Sequence, residues 1–257
     1  MGEYLDALFT RKRRTRAAEA LQVSNTLRLD RTEAAGRKEG EPRRIRISIA
    51  SLVPRLRIAG ADPKDPPQYF GILRPGTKDK VQALGGGTTL TTAGRRYLEE
   101  HFGATNFEYE EEMDARFVVA EEHEEAVFRF FGNPDPKYFE VSPLREVLEE
   151  LTMQEHEDHE PVLTEDDVRS ITFLAIDTSR QPPPENEAEQ IAANPGKRIS
   201  RRMFYRYEMV IPEHVFKKLQ ASGLIKFLTD AEVASTNGGR RIGTSEKGLK
   251  IADNIYA

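Results

Sequence analysis

The chain has 257 residues, of which 38% are hydrophobic and 32% charged, and its formal net charge is −5 at pH 7. This length suffices for one large domain or two small ones, and the lack of cysteine excludes a disulfide scaffold, a thiolate zinc site and a cysteine nucleophile. No apolar stretch approaches the roughly 18 residues of a membrane-spanning helix, so we expect no membrane partner. The lack of cysteine suits a reducing compartment, so we expect a cytoplasmic protein.

The charge is distributed unevenly along the chain. Residues 107–167 contain 21 acidic and 4 basic residues, a net charge of −17, whereas the remainder of the sequence is mildly basic. A block this acidic forms a solvated surface, a disordered tail or a cation site. Its position in the middle of the chain and its apolar runs argue against a tail, which leaves a surface and a cation site as alternatives.

The first predicted element is a basic helix over residues 3–22, which opens a helical N-terminal extension comprising residues 1–42. Its cluster of arginine and lysine residues has two interpretations, a solvated helix face or an arm that binds nucleic acid or an acidic partner. The remaining residues, 43–257, form the predicted folded domain.

Within residues 43–257 the pattern predicts a mixed α/β (α+β) domain with one large sheet. Ile45, Ile47 and Ile49 alternate with polar residues, which predicts a first strand that enters the core. The polar, proline-rich residues 179–200 predict a long, mobile surface loop. Further strands are predicted over residues 69–73, 81–84, 115–120, 126–131, 168–176 and 203–211, and a short strand or a turn over residues 224–228. Helices are predicted over residues 92–101, 143–152, 213–222 and the last few residues.

The predicted helix over residues 143–152 separates apolar and acidic side chains onto two faces. Apolar residues recur at i, i+3, i+4 and i+7 from Leu144, which predicts one buried face. Glu146, Glu149 and Glu150 share the opposite face, where like charges destabilise an isolated helix by about 0.2–0.5 kcal/mol per pair. A hard cation such as Mg²⁺ takes oxygen ligands and would offset this repulsion. The spacing therefore leaves two alternatives, a solvated acidic face and a metal site.

Residues 145–150 of this helix read Arg-Glu-Val-Leu-Glu-Glu, which matches the Arg-Glu-aliphatic-x-Glu-Glu half of the Nudix box. The apparent glycine turn Gly85–Gly87 and the pair Arg116-Phe117, which the family pattern places at the end of a strand, add to this match. The chain resembles the SMODS-associated Nudix domains of bacterial antiphage operons. The first half of the box is degenerate, because Phe131 and Lys137 occupy its glycine and first glutamate positions. The resemblance implies a Nudix-like α/β/α sandwich around a mixed β-sheet.

The resemblance also implies an activity and a set of site residues. Nudix proteins hydrolyse nucleoside diphosphates linked to another moiety, which implies an enzyme that cleaves a pyrophosphate bond of a nucleotide substrate with Mg²⁺ or Mn²⁺. The implied metal ligands are Glu146, Glu149 and Glu150; Glu146 and Glu149 are also implied in catalysis, with Arg145 as their orienting partner. Backbone N–H groups that approach phosphate are expected at Gly85, Gly86 and Gly87.

Other functions are compatible with the sequence. The chain could be a Nudix-like nucleotide sensor that does not hydrolyse its ligand, in which residues 213–257 form a winged-helix-like segment for nucleic acid; otherwise these residues complete the Nudix sandwich. A third hypothesis is an assembly role in which the N-terminal helix pairs with a partner subunit, for example in a homodimer. In the sensor hypothesis the contacts to DNA phosphates come from Lys217, Lys218, Lys226, Arg240 and Arg241.

Overall fold

The computed structural model of the protein describes residues 42–62, 64–73, 79–108, 113–152, 162–193 and 199–255. The helix predicted over residues 3–22 lies outside the described residues, as does nearly all of the N-terminal extension 1–42.

The described residues form strands and helices that alternate along the chain. The strands are β1 Arg44–Ile58, β2 Gln68–Leu73, β3 Lys80–Gln82, β4 Leu84–Gly87, β5 Thr89–Leu90, β6 Arg116–Ala120, β7 Phe139–Glu140, β8 Thr172–Arg180, β9 Ile199–Ile211, β10 Ile225–Leu228, β11 Gly243–Thr244 and β12 Lys250–Ile251. The helices are α1 Thr92–Phe102, α2 Glu124–Phe131, α3 Leu144–Thr152, α4 Glu165–Arg169, α5 Glu187–Ala193, α6 Glu213–Ser222 and α7 Asp230–Ala234, with a 3₁₀ helix at Glu121–His123.

The long strand β1 organises a mixed sheet of ten strands, whose main order is β11-β12-β3-β2-β1-β9-β8. One edge of β1 pairs in parallel with β9 over most of its length. The other edge pairs antiparallel with β6, then β4, then β2 as β1 runs from Arg44 to Leu56. Strands β4 and β6 therefore meet end to end beside Ile49, and this junction borders the candidate site.

Helices pack on both faces of the sheet. Ile49 belongs to a hydrophobic cluster with α1 and α2, whereas its neighbour Ala50 belongs to a different cluster with α7 and β12. Because successive side chains of a strand point to opposite faces, these clusters lie on opposite sides of β1. A third cluster joins α3 and α6 to β1, β2 and β9. This arrangement confirms the predicted mixed α/β fold.

Several predicted elements coincide with the structure. The strand that begins with Ile45, Ile47 and Ile49 is β1, and all three isoleucines are fully buried. Helix α6 ends at Gly223, which adopts the left-handed conformation (φ 68°) that favours glycine. The predicted strands at 69–73, 115–120, 203–211 and 224–228 correspond to β2, β6, β9 and β10.

Two predicted strands were wrong in part or entirely. Residues 126–131 form most of helix α2, because Val127, Phe128 and Phe131 are spaced for one buried helical face. Residues 168–169 end helix α4, whose start is fixed by a capping box between Thr164 and Asp167, so that β8 begins at Thr172.

The chain beyond residue 179 also differs from the prediction. The stretch 179–200 contains the end of β8, helix α5 and the first residues of β9, and is therefore not a continuous loop. The prediction of a final short helix was wrong as well, because Lys250–Ile251 forms strand β12, which pairs with β3.

Candidate active site

Helix α3 is anchored at its start and along its inner face. The Ser142 hydroxyl accepts a hydrogen bond from Leu144 N (3.2 Å), and the carbonyl of Val141 accepts from the Ser51 and Tyr207 hydroxyls (2.6 and 2.8 Å). The buried residues of its inner face belong to the hydrophobic cluster that α3 and α6 form with β1, β2 and β9. Full burial of each such side chain stabilises the fold by about 1.5–3 kcal/mol. These inner-face residues are Val147, Leu148 and Leu151.

The outer face of α3 lies against the glycine strand β4. Arg145 Nη2 donates to the carbonyl oxygen of Gly87 (2.8 Å), and Gly85 N–H donates to the Glu150 carboxylate (3.2 Å). A Cβ atom added to Gly86 would lie 2.0 Å from Glu146 Oε2. The glycines therefore let the helix and its acidic side chains approach the strand more closely than any other residue would allow.

The expected glycine turn was wrong, because Gly85, Gly86 and Gly87 belong to a strand that pairs with β1. Gly85 still needs glycine, since its φ of 128° is rarely adopted by other residues. The predicted phosphate contacts of these glycines stay a prediction, and the described structure adds that Gly85 N–H is already bonded to Glu150.

Arg145 links two of the three helix glutamates. Its guanidinium lies 2.5 Å from Glu146 Oε1 and 3.3 Å from Glu149 Oε1. All three side chains are only 13–16% exposed. Arg145 thus has the position expected of a residue that orients the two glutamates, while its bond to Gly87 fixes it to the sheet.

Burial dominates the electrostatics of this cluster. It raises the pKa of Glu146 to about 7; the neighbouring charges of Glu149 and Asp114 add to the increase, and Arg145 opposes it. Ionised Glu146 is therefore held in an unfavourable environment. Such carboxylates are common in active sites, where a cation or a proton transfer uses the stored free energy.

The donor chemistry of the site suits a hard cation, but the side chains do not form a finished ligand set. Glu146, Glu149 and Glu150 present carboxylate oxygens, the ligands that Mg²⁺ and Mn²⁺ favour. Among the described residues, however, no three histidine or acidic side chains are grouped closely enough to hold a metal ion. Arg145 is bonded to Glu146 and Glu149, so metal binding would require these contacts to rearrange.

Asp114, which the sequence reasoning missed, lies at the edge of this site. Its side chain is 8% exposed, and Oδ2 lies 3.3 Å from Arg116 Nη1. Burial raises the pKa of Asp114, against the opposing charges of Arg116 and Arg145. The one available signal was an aspartate immediately before a predicted strand, inside the acidic block, and that signal does not separate Asp114 from the surrounding solvated acids.

Comparison with known families agrees with this geometry. A family model described as the SMODS-associated NUDIX domain matches residues 44–241. The chain belongs to this family. No curated protein and no solved structure matches the chain. Membership confirms the resemblance drawn from α3, and it supports a hydrolase-like function of the Nudix type in general.

Two further features of this SMODS-associated NUDIX domain lie outside the cluster or differ from expectation. Glu140 is exposed on β7, opposite Thr89 of β5. The pair Arg116-Phe117 begins strand β6 and does not end a strand.

The C-terminal residues complete the sheet of this NUDIX domain, so the winged-helix interpretation was wrong. Strand β10 pairs with β2, and β12 pairs with β3. Two of the predicted DNA contacts are also paired with acids, Lys217 with Glu213 (2.7 Å) and Lys218 with Asp167 (2.7 Å). Across the described parts of the chain, no helix is long and apolar enough to cross a membrane.

Proposed function

We propose that this protein hydrolyses a pyrophosphate bond in a nucleotide or a nucleoside-diphosphate derivative, with Mg²⁺ or Mn²⁺ as its cofactor. The observation that carries the proposal is the close docking of α3 on β4, which buries Arg145, Glu146 and Glu149 together beside a strand of three glycines. The family's setting suggests that this activity serves a bacterial antiphage system.

The residues proposed to hold the metal are Glu146, Glu149 and Glu150. Their carboxylates lie on one face of a helix whose other face is fixed in the core, so their backbone positions are set before any ligand binds. The burial that makes ionised Glu146 unfavourable also provides a reason for a cation to bind there. A bound divalent cation would neutralise phosphate charge and lower the pKa of the attacking water.

Arg145 and the glutamates have separate proposed tasks. Arg145 keeps Glu146 and Glu149 oriented through its bond to the Gly87 carbonyl. Glu146 or Glu149 would accept a proton from the attacking water, and the raised pKa of Glu146 brings that residue closer to the operating pH as a base. Mildly basic segments elsewhere in the chain would attract a polyanionic nucleotide.

The experiment is a screen of nucleoside diphosphates, triphosphates and diphosphate derivatives with Mg²⁺ and with Mn²⁺, in which phosphate and pyrophosphate release are followed. We expect turnover of at least one substrate class by the parent and a loss of about 10²-fold or more in the double variant Glu149→Gln/Glu150→Gln. The matched control is Glu213→Gln, which removes an exposed glutamate from another helix. Equal turnover by the double variant and the parent would contradict the site assignment.

A second candidate is a nucleotide sensor that binds without hydrolysis. The observation that favours it is the bonding of Arg145 to both Glu146 and Glu149, which leaves no ready-made metal ligand set among the described residues. The same screen separates the two functions. Nucleotide binding measured by calorimetry, with no product from any substrate under either metal, would favour the sensor.

A further inference from the structure

Two side-chain hydroxyls from neighbouring strands bind one backbone carbonyl just before α3. Ser51 Oγ of β1 and the Tyr207 hydroxyl of β9 both donate to the oxygen of Val141, at 2.6 and 2.8 Å. Ser51 is 1% exposed, and Tyr207 is half-buried. Burial raises the pKa of Tyr207, so its hydroxyl stays protonated at neutral pH and remains a donor. The sheet therefore holds the chain at the point where it enters α3.

Ser51 lies on the face of the sheet that Glu146 approaches. It pairs with Gly86 across β1 and β4, and the side chains of directly opposed residues in an antiparallel pair share a face. A Cβ atom on Gly86 would meet the Glu146 carboxylate. The Ser51 hydroxyl and the Glu146 carboxylate thus lie on one face of the sheet, over adjacent strands.

The chain between Val141 and α3 has little freedom to absorb a shift. The Ser142 hydroxyl accepts a hydrogen bond from the first N–H of α3 (3.2 Å). The ring of Pro143 fixes φ near about −65°, and the carbonyl of this proline accepts from Val147 N–H (3.0 Å). A displacement of the Val141 carbonyl is therefore passed on to the first turn of α3, which carries Glu146.

We propose that Ser51 and Tyr207 are positioning residues of the active site, which hold the Val141 carbonyl and thereby set how closely α3 lies against β4. The inference rests on the proposed function, because it takes the reaction at α3 from there. A carbonyl oxygen has two lone pairs, so the loss of one hydroxyl leaves the other bond in place. Loss of both removes both donors, so the combined effect should exceed the product of the single effects.

The test compares Tyr207→Phe with Tyr205→Phe. The Tyr205 hydroxyl, on the same strand, donates to the carbonyl of Phe131, the last residue of α2. Both substitutions therefore remove one bond from a hydroxyl to a carbonyl, but only one of these bonds lies at α3. Thermal unfolding of each variant gives the temperature range in which it is folded.

Steady-state kinetics on the best substrate of the screen measure the effect on catalysis. We expect kcat to fall about threefold in Ser51→Ala and in Tyr207→Phe, and about 30-fold or more in the double variant, with KM changed by less than about twofold. The control Tyr205→Phe should keep the kcat of the parent. A split between kcat and KM that depends on position in this way is not expected from a general loss of stability.

Amide hydrogen–deuterium exchange of residues 142–152, followed by mass spectrometry on the metal-free full chain, tests the two hydrogen bonds without any substrate. In the double variant Ser51→Ala/Tyr207→Phe we expect exchange in α3 to be about fivefold faster or more. In Tyr205→Phe the exchange of this helix should match that of the parent.

The outcomes separate this inference from the proposed function. If kcat and exchange of the double variant equal those of the parent while Glu149→Gln/Glu150→Gln has lost turnover, the inference is wrong and the proposed function stands. Equal losses of kcat in Tyr207→Phe and Tyr205→Phe would also overturn the inference, since they would indicate a general loosening of the core.

Two further results are equally decisive. If the double variant does not fold, the single variants decide by their kcat relative to Tyr205→Phe. A parent that turns over no substrate would overturn the proposed function, whereas the exchange measurement would still decide whether the two hydroxyls position α3.

Discussion

Glu146 on α3 and Asp167 on α4 are both carboxylates with little exposed surface, 13% and 5% of their side chains. Burial raises the pKa of Glu146 to about 7. The same effect acts on Asp167, but hydrogen bonds from Lys218 and Thr164 outweigh it and lower the pKa of Asp167 to about 2.

The difference lies in how the surroundings satisfy each carboxylate. Both oxygens of Asp167 accept from Lys218 Nζ (2.9 and 2.7 Å), and one also accepts from the backbone N–H and hydroxyl of Thr164 (both 2.8 Å). Glu146 shares Arg145 with Glu149, and the nearby carboxylate of Asp114 raises its pKa further while Arg116 lowers it. The two carboxylates of one domain therefore differ in kind, because the surroundings of Asp167 stabilise its ionised form whereas the surroundings of Glu146 destabilise it, as the function proposed for Glu146 requires.

The largest expected effect comes from filling the space beneath Glu146. In Gly86→Ala the new Cβ would lie 2.0 Å from Glu146 Oε2, so the carboxylate must move while the backbone can stay. We expect turnover to fall about 10²-fold, with a free energy of unfolding within about 1 kcal/mol of the parent.

The matched substitution is Gly94→Ala, whose Cβ would lie 2.0 Å from the backbone oxygen of Tyr138. Because a backbone atom cannot move aside cheaply, this variant should be clearly destabilised. Steady-state kinetics and urea denaturation of both variants make the comparison. Normal turnover by a folded Gly86→Ala protein would show that Glu146 takes no part in catalysis.

The next effect concerns Asp167. Asp167→Asn removes the negative charge that pairs with Lys218 and replaces one of the two accepting oxygens by an amide NH₂ group, so the free energy of unfolding should decrease by about 1–3 kcal/mol. Turnover should be unchanged at temperatures where the variant is folded. A variant as stable as the parent in urea would refute the structural role.

Glu146→Gln should act in the opposite direction on stability. Replacing a buried, poorly satisfied carboxylate by a neutral amide should raise the free energy of unfolding of the metal-free protein at pH 8 by about 0.5–2 kcal/mol, while turnover is lost. Urea denaturation in the presence of a chelator measures this change. Destabilisation similar to that of Asp167→Asn would mean that Glu146 is a structural residue.

The smallest effect is the acid dependence of stability. Asp167 has a folded-state pKa of about 2 and an ordinary value of 3.8. Its contribution is therefore fully present above about pH 4 and is lost as the pH falls towards 2. Between pH 4 and pH 2 the difference in unfolding free energy between the parent and Asp167→Asn should shrink. A constant difference across this range would contradict the assignment.

The contrast between local and distant interactions explains what the sequence could reveal. The helix over residues 143–152 was predictable because its apolar and acidic faces are set by neighbours three and four residues apart. The strand formed by Gly85–Gly87 could not be predicted in this way. It depends on pairing with β1 and on docking of α3, and both of these elements are distant in the chain. The turn interpretation therefore failed at the point where the site is assembled.

Asp114 illustrates the same limit. It lies among many acidic residues, and only the meeting of β4 and β6 beside β1 separates it from the solvated ones. The prediction of a strand over residues 126–131 was wrong for a different reason. A short run of valine and phenylalanine fits a buried strand and a buried helix equally well. The helix is chosen by packing of Phe128 and Phe131 into the core.

The most direct test of the central claim is the metal dependence of turnover on the best substrate of the screen, measured for the parent and for Glu149→Gln/Glu150→Gln. We expect the parent to turn over the substrate with Mg²⁺ or Mn²⁺, to lose this turnover in excess chelator and to regain it when metal is restored. The double variant should show no metal-dependent turnover under any of these conditions. Turnover that persists in chelator, or that the double variant retains, would contradict a metal-dependent hydrolase centred on α3.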